Sequence, residues 1–461
     1  MLPSPYRFAP VALLLLPGCT GTPRLDVAPE VLSADWSGPS IGSAPATDAD
    51  LAALLGSSAL ADLIRRAQAQ SPELMQATAR IDQARAMLRV ARGAALPSLS
   101  VGTNASANSR DNGQAFDFAS NFATIDAALT IDFAGGMAAG RRSARQRMMA
   151  AAFDRDALLI QLTAELARTY VLRATLHARL GLIDQNIDQA AQLQRIVEMR
   201  RREGVATRVD VGLQAIRVQQ LQAERERLQL AFEQTRVALA LLAGEEAPGF
   251  QIAPADISLF AVPDIRPPRP SQLVATRPDV LAAEARIQAA GGDVRQARAA
   301  FFPQLDLSLG RNAQSFLESG VFSGVSFFAN AMVPIFNRNR LKGNLEFAAA
   351  QQREAVQNYR QVLLTALADV ENGLAAVNRA RNRATILASV TQEARRTAAL
   401  ARVQYLEGDT DLRELLDAQD LLISTQDAEL VSRQERLEAA IVLYRVSRGL
   451  NRASPSAIAK S

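Results

Sequence analysis

The stretch SPELMQATARIDQARAMLRVARGAALP, residues 71 to 97, returns as RPDVLAAEARIQAAGGDVRQARAAFFP, residues 277 to 303, without a gap. The two copies are 206 residues apart and agree at 11 of 27 positions, among them Pro72/Pro278, Arg80/Arg286, Ile81/Ile287, Arg92/Arg298 and Pro97/Pro303. Any fold for this chain must therefore be built of two similar halves.

Both halves follow the same programme. A stretch of alternating small and polar residues comes first, then a long proline-free run broken once by a glycine: Gly204 in Glu203-Gly204-Val205 and Gly408 in Glu407-Gly408-Asp409. An acid follows six residues later in each, Asp210 and Glu414. The predicted order is helix, strand, loop, strand, very long helix, tight turn, helix, performed twice.

The alternating stretches carry period two. Leu99, Val101, Thr103, Ala105 and Ala107 face one way and Ser100, Gly102, Asn104, Ser106 and Asn108 the other, predicting a strand over about 98–110. Ile125, Ala127, Leu129, Ile131 and Phe133 predict a second over 122–133; Leu305, Leu307 and Leu309 a third over 303–312; Val325, Phe327, Ala329, Ala331, Val333 and Ile335 a fourth over 321–336. Strands of about ten residues with one apolar face suit a transmembrane barrel with a wet lumen, as they also suit a soluble half-buried sheet. Phe116, Phe118, Phe122, Phe133, Phe301, Phe302, Phe322 and Phe336 cluster near the strand ends, where an interfacial girdle would sit. Four strands cannot close a barrel, and an open edge in lipid leaves backbone groups unpaired. A membrane reading thus requires several chains to share one barrel.

No proline occurs between Pro97 and Pro248 or between Pro334 and Pro455. The run from Met137 to Arg202 allows one helix of about 66 residues, on the order of 100 Å long. Leu162, Leu166, Tyr170, Leu176, Leu180, Ile183 and Ile187, and after the turn Val211, Val218, Leu221, Leu228 and Leu239, recur as a coiled-coil seam requires. Residues 248–276 form a proline-rich linker, and Pro278 then opens the second repeat in a helix first turn.

At the N-terminus, Arg7 precedes the apolar run Val11 to Leu16 and the sequence Leu16-Pro17-Gly18-Cys19. This reads as a secretory signal of residues 1–18 ending in a lipobox, with Cys19, the only cysteine, as the site of covalent acylation, palmitate included. The competing reading is an incidental cysteine in a discarded signal. Thr20, where aspartate would retain a lipoprotein in the inner membrane, points to the outer membrane. Residues 19–50 read as an extended arm behind the anchor, 51–247 as the first repeat, 277–448 as the second and 449–461 as a tail.

The 461 residues carry a formal charge of only +4, and no basic run is interleaved with aromatics, which argues against nucleic acid. His177 is the sole histidine, and there is no nucleophile elbow, phosphate loop or cluster of metal ligands, so the expectation is a protein that is not an enzyme and binds no metal or cofactor beyond the lipid.

On Leu16-Pro17-Gly18-Cys19, Ser71-Pro72-Glu73-Leu74, Arg277-Pro278-Asp279-Val280, Ala299-Ala300-Phe301-Phe302-Pro303 and the two glycine turns, the chain resembles the TolC-like outer membrane efflux proteins. The likeness is to their lipoprotein branch, NodT-like, which serves RND-type pumps. That resemblance implies a mainly α fold with a small β part: long antiparallel coiled-coil helices forming a periplasmic tunnel, and four strands per chain in a shared twelve-stranded barrel of a homotrimer. It implies a periplasmic adaptor and an inner-membrane pump as partners, and export of drugs, toxic compounds or metal ions. Gly204, Val205, Ala206 and Thr207, with Gly408, Asp409 and Thr410, would meet the adaptor. Glu414 and Asp417 would form the periplasmic constriction, helped by Asp210 and Tyr405. Where some relatives have an arginine two residues after the second glycine, this chain has Thr410, and Arg413 is the nearest substitute. Alternatives are a duct for protein secretion and a lipid-tethered periplasmic scaffold; the scaffold would not need four strands of membrane length.

Overall fold

The computed structural model describes residues 35–37, 44–45, 50–108, 118–253, 255–316 and 320–449. Cys19, Phe116 and the tail beyond residue 449 lie outside them.

The chain runs β1 (Ala44–Pro45), α1 (Leu51–Leu55), α2 (Ser58–Gln70), α3 (Pro72–Gly93), β2 (Ser98–Asn108), β3 (Phe118–Asp132), α4 (Gly136–Arg202) and α5 (Arg208–Ala243). A short 3-10 turn, Ile257–Leu259, and β4 (Ile265–Arg266) lead to the second half. That half is α6 (Pro270–Thr276), α7 (Pro278–Ala299), β5 (Gln304–Phe316), β6 (Gly320–Met332), α8 (Arg338–Glu407) and α9 (Leu412–Ser447). Pro72 and Pro278 open α3 and α7, where a missing N–H costs nothing.

α4 and α8 are 67 and 70 residues long, about 100 Å at 1.5 Å per residue. Toward the sheet they pack with α3 and α7; beyond the middle they pack with α5 and α9. Midway sits the main core, where Leu166, Tyr170 and Val171 of α4 and Val370 and Leu374 of α8 meet α1, α2, the end of α9 and the linker residues Phe250, Ile257 and Phe260. The linker is thus folded into the core. The arm touches it too: the Trp36 indole N–H donates to the Pro268 carbonyl at 2.9 Å, and β1 pairs in parallel with β4.

β2, β3, β5 and β6 form one antiparallel sheet in that order, so β2 and β6 are open edges. The register aligns Val101, Ile125, Arg311 and Val325 in one row, and Leu99, Ala127, Leu309 and Phe327 in the next. These two rows share one face, with Arg311 their one charged member; Ser100, Asp126, Gly310 and Ser326 share the other, together with Phe328. Three predicted boundaries shift. β3 begins at Phe118 and β5 reaches Phe316, because backbone pairing of Ser120–Thr124 with Asn312–Phe316 extends both beyond the apolar alternation. β6 stops at Met332, and Val333 and Ile335 fall outside it, since Pro334 cannot donate to a ladder.

Candidate functional site

At the first helix turn Gly204 takes φ +82°, a left-handed conformation glycine adopts without strain, and the Val205 N–H donates to the Arg200 carbonyl at 2.9 Å. Thr207 then caps α5. Its Oγ1 accepts from the Asp210 N–H at 3.2 Å, while the Asp210 carboxylate accepts from the Thr207 N–H at 2.7 Å and its hydroxyl at 2.8 Å. At the second turn Gly408 has φ +91°, and the Asp411 carboxylate accepts from the Glu414 N–H at 3.0 Å. The acid six residues after each glycine is therefore the third residue of a new helix, where negative charge meets free N–H groups. Asp210 performs that local role through Oδ2.

Tyr405 is buried in a cluster with Leu193, Val197, Leu412 and Leu415. The Arg200 guanidinium lies 4.4 Å above its ring and donates to the Leu406 carbonyl at 2.8 Å. Gly204 to Thr207 and Gly408 to Thr410 thus end two hairpins that are tied together inside one chain. Thr410 Oγ1 is buried without a hydrogen-bond partner. Arg413, the expected substitute for the missing arginine, makes no ion pair among the described residues, and Arg200 links the two hairpins within the chain.

Glu414 and Asp417 stand exposed on α9. The stripe continues to Asp420, which pairs with Arg217 of α5, and to Asp427, which accepts from both Nε and Nη2 of Arg179 at 2.6 and 3.0 Å. Burial raises the Asp420 carboxyl above its ordinary value, Asp417 adds to the rise and Arg217 opposes it. Arg179, Arg217, Asp420 and Asp427 line a cleft of about 410 Å³ between α4, α5 and α9. Sequence reasoning missed Arg200, Arg179, Arg217, Asp420 and Asp427. The acids were findable, since Asp417, Asp420 and Asp427 keep the three- and seven-residue steps of one helix stripe; their arginine partners were not.

At the other end the apolar sheet face is bare. Leu99 and Val101 are 72% exposed and Phe327 66%. None of the described helices is long and apolar enough to cross a membrane.

Residues 63–245 and 269–447 match the sequence model of the family described as outer membrane efflux protein. The chain belongs to that family. The break between the two matched segments falls in the linker between the repeats. Among relatives of this efflux family, the pyoverdine export outer membrane protein OpmQ of Pseudomonas putida is 31% identical over 467 residues, covering 97% of this chain and 98% of its own. A membrane protein of Pseudomonas aeruginosa of known structure superposes with a TM-score of 0.80 at 27% identity, over 91% of this chain and 99% of its own. The open state of the Neisseria gonorrhoeae MtrE outer membrane channel gives 0.82 at 23% identity, over 92% and 96%. The protein is an outer membrane efflux channel of TolC-like fold, and its family are not enzymes.

Proposed function

We propose that three copies of this chain, lipid-anchored at Cys19, form the outer membrane duct of a tripartite exporter that takes small molecules from an inner-membrane RND-type pump through a periplasmic adaptor. The observation that carries this is the sheet: four strands with two open edges and an apolar face turned outward. In lipid that sheet must be closed by other copies, giving twelve strands in a trimer. Exposed apolar residues along the helices, such as Leu230 and Val237 of α5 and Ile386, Val390 and Leu400 of α8, supply a surface for the neighbouring copy. The tethered scaffold has no use for such a sheet. A relative named for pyoverdine export favours small-molecule cargo over protein.

In this reading the tips at Gly204–Thr207 and Gly408–Thr410 meet the adaptor, and Glu414 and Asp417 narrow the periplasmic end. Three-fold symmetry would gather their carboxylates around one passage, a ring that attracts cations. Planar-bilayer recordings of a Glu414→Ala/Asp417→Ala variant test it: cation preference and block by multivalent cations should both weaken. Unchanged conductance, selectivity and block would return both side chains to plain solvated helix surface. Cys19→Ala should abolish acylation, as mass spectrometry of the mature N-terminus would show.

A further inference from the structure

Of the two helices that leave the sheet, α8 begins against its own dipole, while α4 is capped from outside by the Asp132 carboxylate. A helix N-terminus carries partial positive charge and favours acids, as α5 and α9 show with Asp210 and Glu414 in their first turns. α4 and α8 have no acid in the first turn. α8 carries Arg338, Arg340 and Lys342 there, and α4 carries Arg141 and Arg142 one turn in, all five exposed. Lys342 has a loose partner in Glu346 at 3.7 Å. The other four make no ion pair among the described residues, and the nearby Asp132 carboxylate accepts from the backbone N–H groups of Ala134 and Met137. By contrast, Arg92 and Arg298 close the last turns of α3 and α7, where the dipole favours cations and no outside partner is needed.

Close to these cations in the sequence the chain exposes an apolar rim. Phe336 is 99% exposed, Phe133 71% and Ile335 70%. Exposed apolar residues with cations close by in the chain match an amphiphile with an acyl tail and an anionic head.

We propose that Arg141, Arg142, Arg338, Arg340 and Lys342 form a collar that binds the phosphate headgroups of anionic phospholipids in the leaflet where the strands end and the helices begin. Each repeat contributes one half of the collar, so a trimer would carry it all the way round. This rests on the reading of the strands as membrane-spanning; symmetrical bilayers make the test independent of which leaflet that is.

The test is spin-labelled lipid in bilayers of phosphatidylcholine containing the full-length protein. Labelled phosphatidylglycerol should associate about five-fold more strongly than labelled phosphatidylcholine, one cation's worth of attraction or more, and high salt should erode the difference. The variant R141Q/R142Q/R338Q/R340Q/K342Q should lose the preference, and R201Q/R202Q at the tip should keep it. Should the five-site variant fail to assemble, R141Q/R142Q and R338Q/R340Q/K342Q separately should each lower it. Equal association of the two lipids in the wild type overturns the collar. So does a preference that survives in the variants while anion permeability changes, which would place these cations on the tunnel wall. A protein that is not held in the bilayer at all would instead sink the membrane-spanning reading.

Discussion

Midway along the protomer, Leu437, Ile441 and Tyr444 are sealed from solvent, 0% exposed, by short helices and a folded linker; in the sheet, equally apolar Leu99 and Val101 face outward at 72% with none of the described residues over them. The two regions use the hydrophobic effect in opposite directions. The core decides how one chain folds, and the sheet decides what that chain must be inserted into and joined with. Exposed apolar surface is here a requirement for lipid and for other copies.

The sharpest way to break this contrast is to truncate one side chain on each side of it. Leu437→Ala should destabilise the protein by about 2–5 kcal/mol, because the atoms lost leave a cavity in a packed core. Val101→Ala should cost well under half of that, since this side chain leaves no packed protein environment. Thermal unfolding in detergent reads both, and equal losses would mean that the sheet face is sealed by protein after all.

A smaller contrast lies within the sheet itself. Leu309 and Ser308 are neighbours in β5 on opposite faces, so Leu309→Arg should cost about 2–4 kcal/mol per copy in a bilayer and Ser308→Arg close to nothing. Trimer yield from membranes measures it. If Ser308→Arg proves the more damaging, lumen and lipid faces have been exchanged.

How much of this was legible beforehand follows the same division. The sheet could be read because period two is local, and Leu305, Leu307 and Leu309 announce their face without reference to any other strand. Its pairing could not: Gln314 and Ser315 show no apolar alternation, yet they extend β5 through bonds to β3. The long helices were legible from missing prolines, with α4 starting at Gly136 against the expected Met137. At the tips the glycines and acids were visible, but the Arg200–Tyr405 contact joins residues 205 positions apart. Spacing carries no information about a partner on the other hairpin.

The left-handed glycines extend the comparison to the backbone. Gly244 and Gly408 share positive φ, +77° and +91°, so alanine strains both by about 1–2 kcal/mol. At Gly408 an added Cβ meets open space; at Gly244 it would sit 2.4 Å from the Gln70 carbonyl oxygen, where α5 passes the junction of α2 and α3. Gly244→Ala should therefore lower the unfolding midpoint clearly more than Gly408→Ala. Matching shifts would show that this junction gives way at no cost.

The least effect concerns charge on the α9 stripe. Asp420 is held above its ordinary carboxyl value first by burial and then by Asp417, against the pull of Arg217. The folded protein therefore keeps a proton on Asp420 at pH values where the unfolded chain has released it. Through that window, just above the ordinary carboxyl range, stability must fall as pH rises and recover on acidification. Asp420→Asn removes this contribution, so wild type minus variant stability, followed by denaturant titration from about pH 3 to pH 7, should decline with pH and then level off. Asp417→Asn takes away the lesser cause and should move the decline to lower pH without abolishing it, because burial remains. The side chain is half open to water and paired with Arg217, so screening keeps the slope shallow. Superimposable pH profiles for wild type and Asp420→Asn would mean that Asp420 titrates like any surface carboxylate, and that the cleft between the hairpins imposes no burial on it.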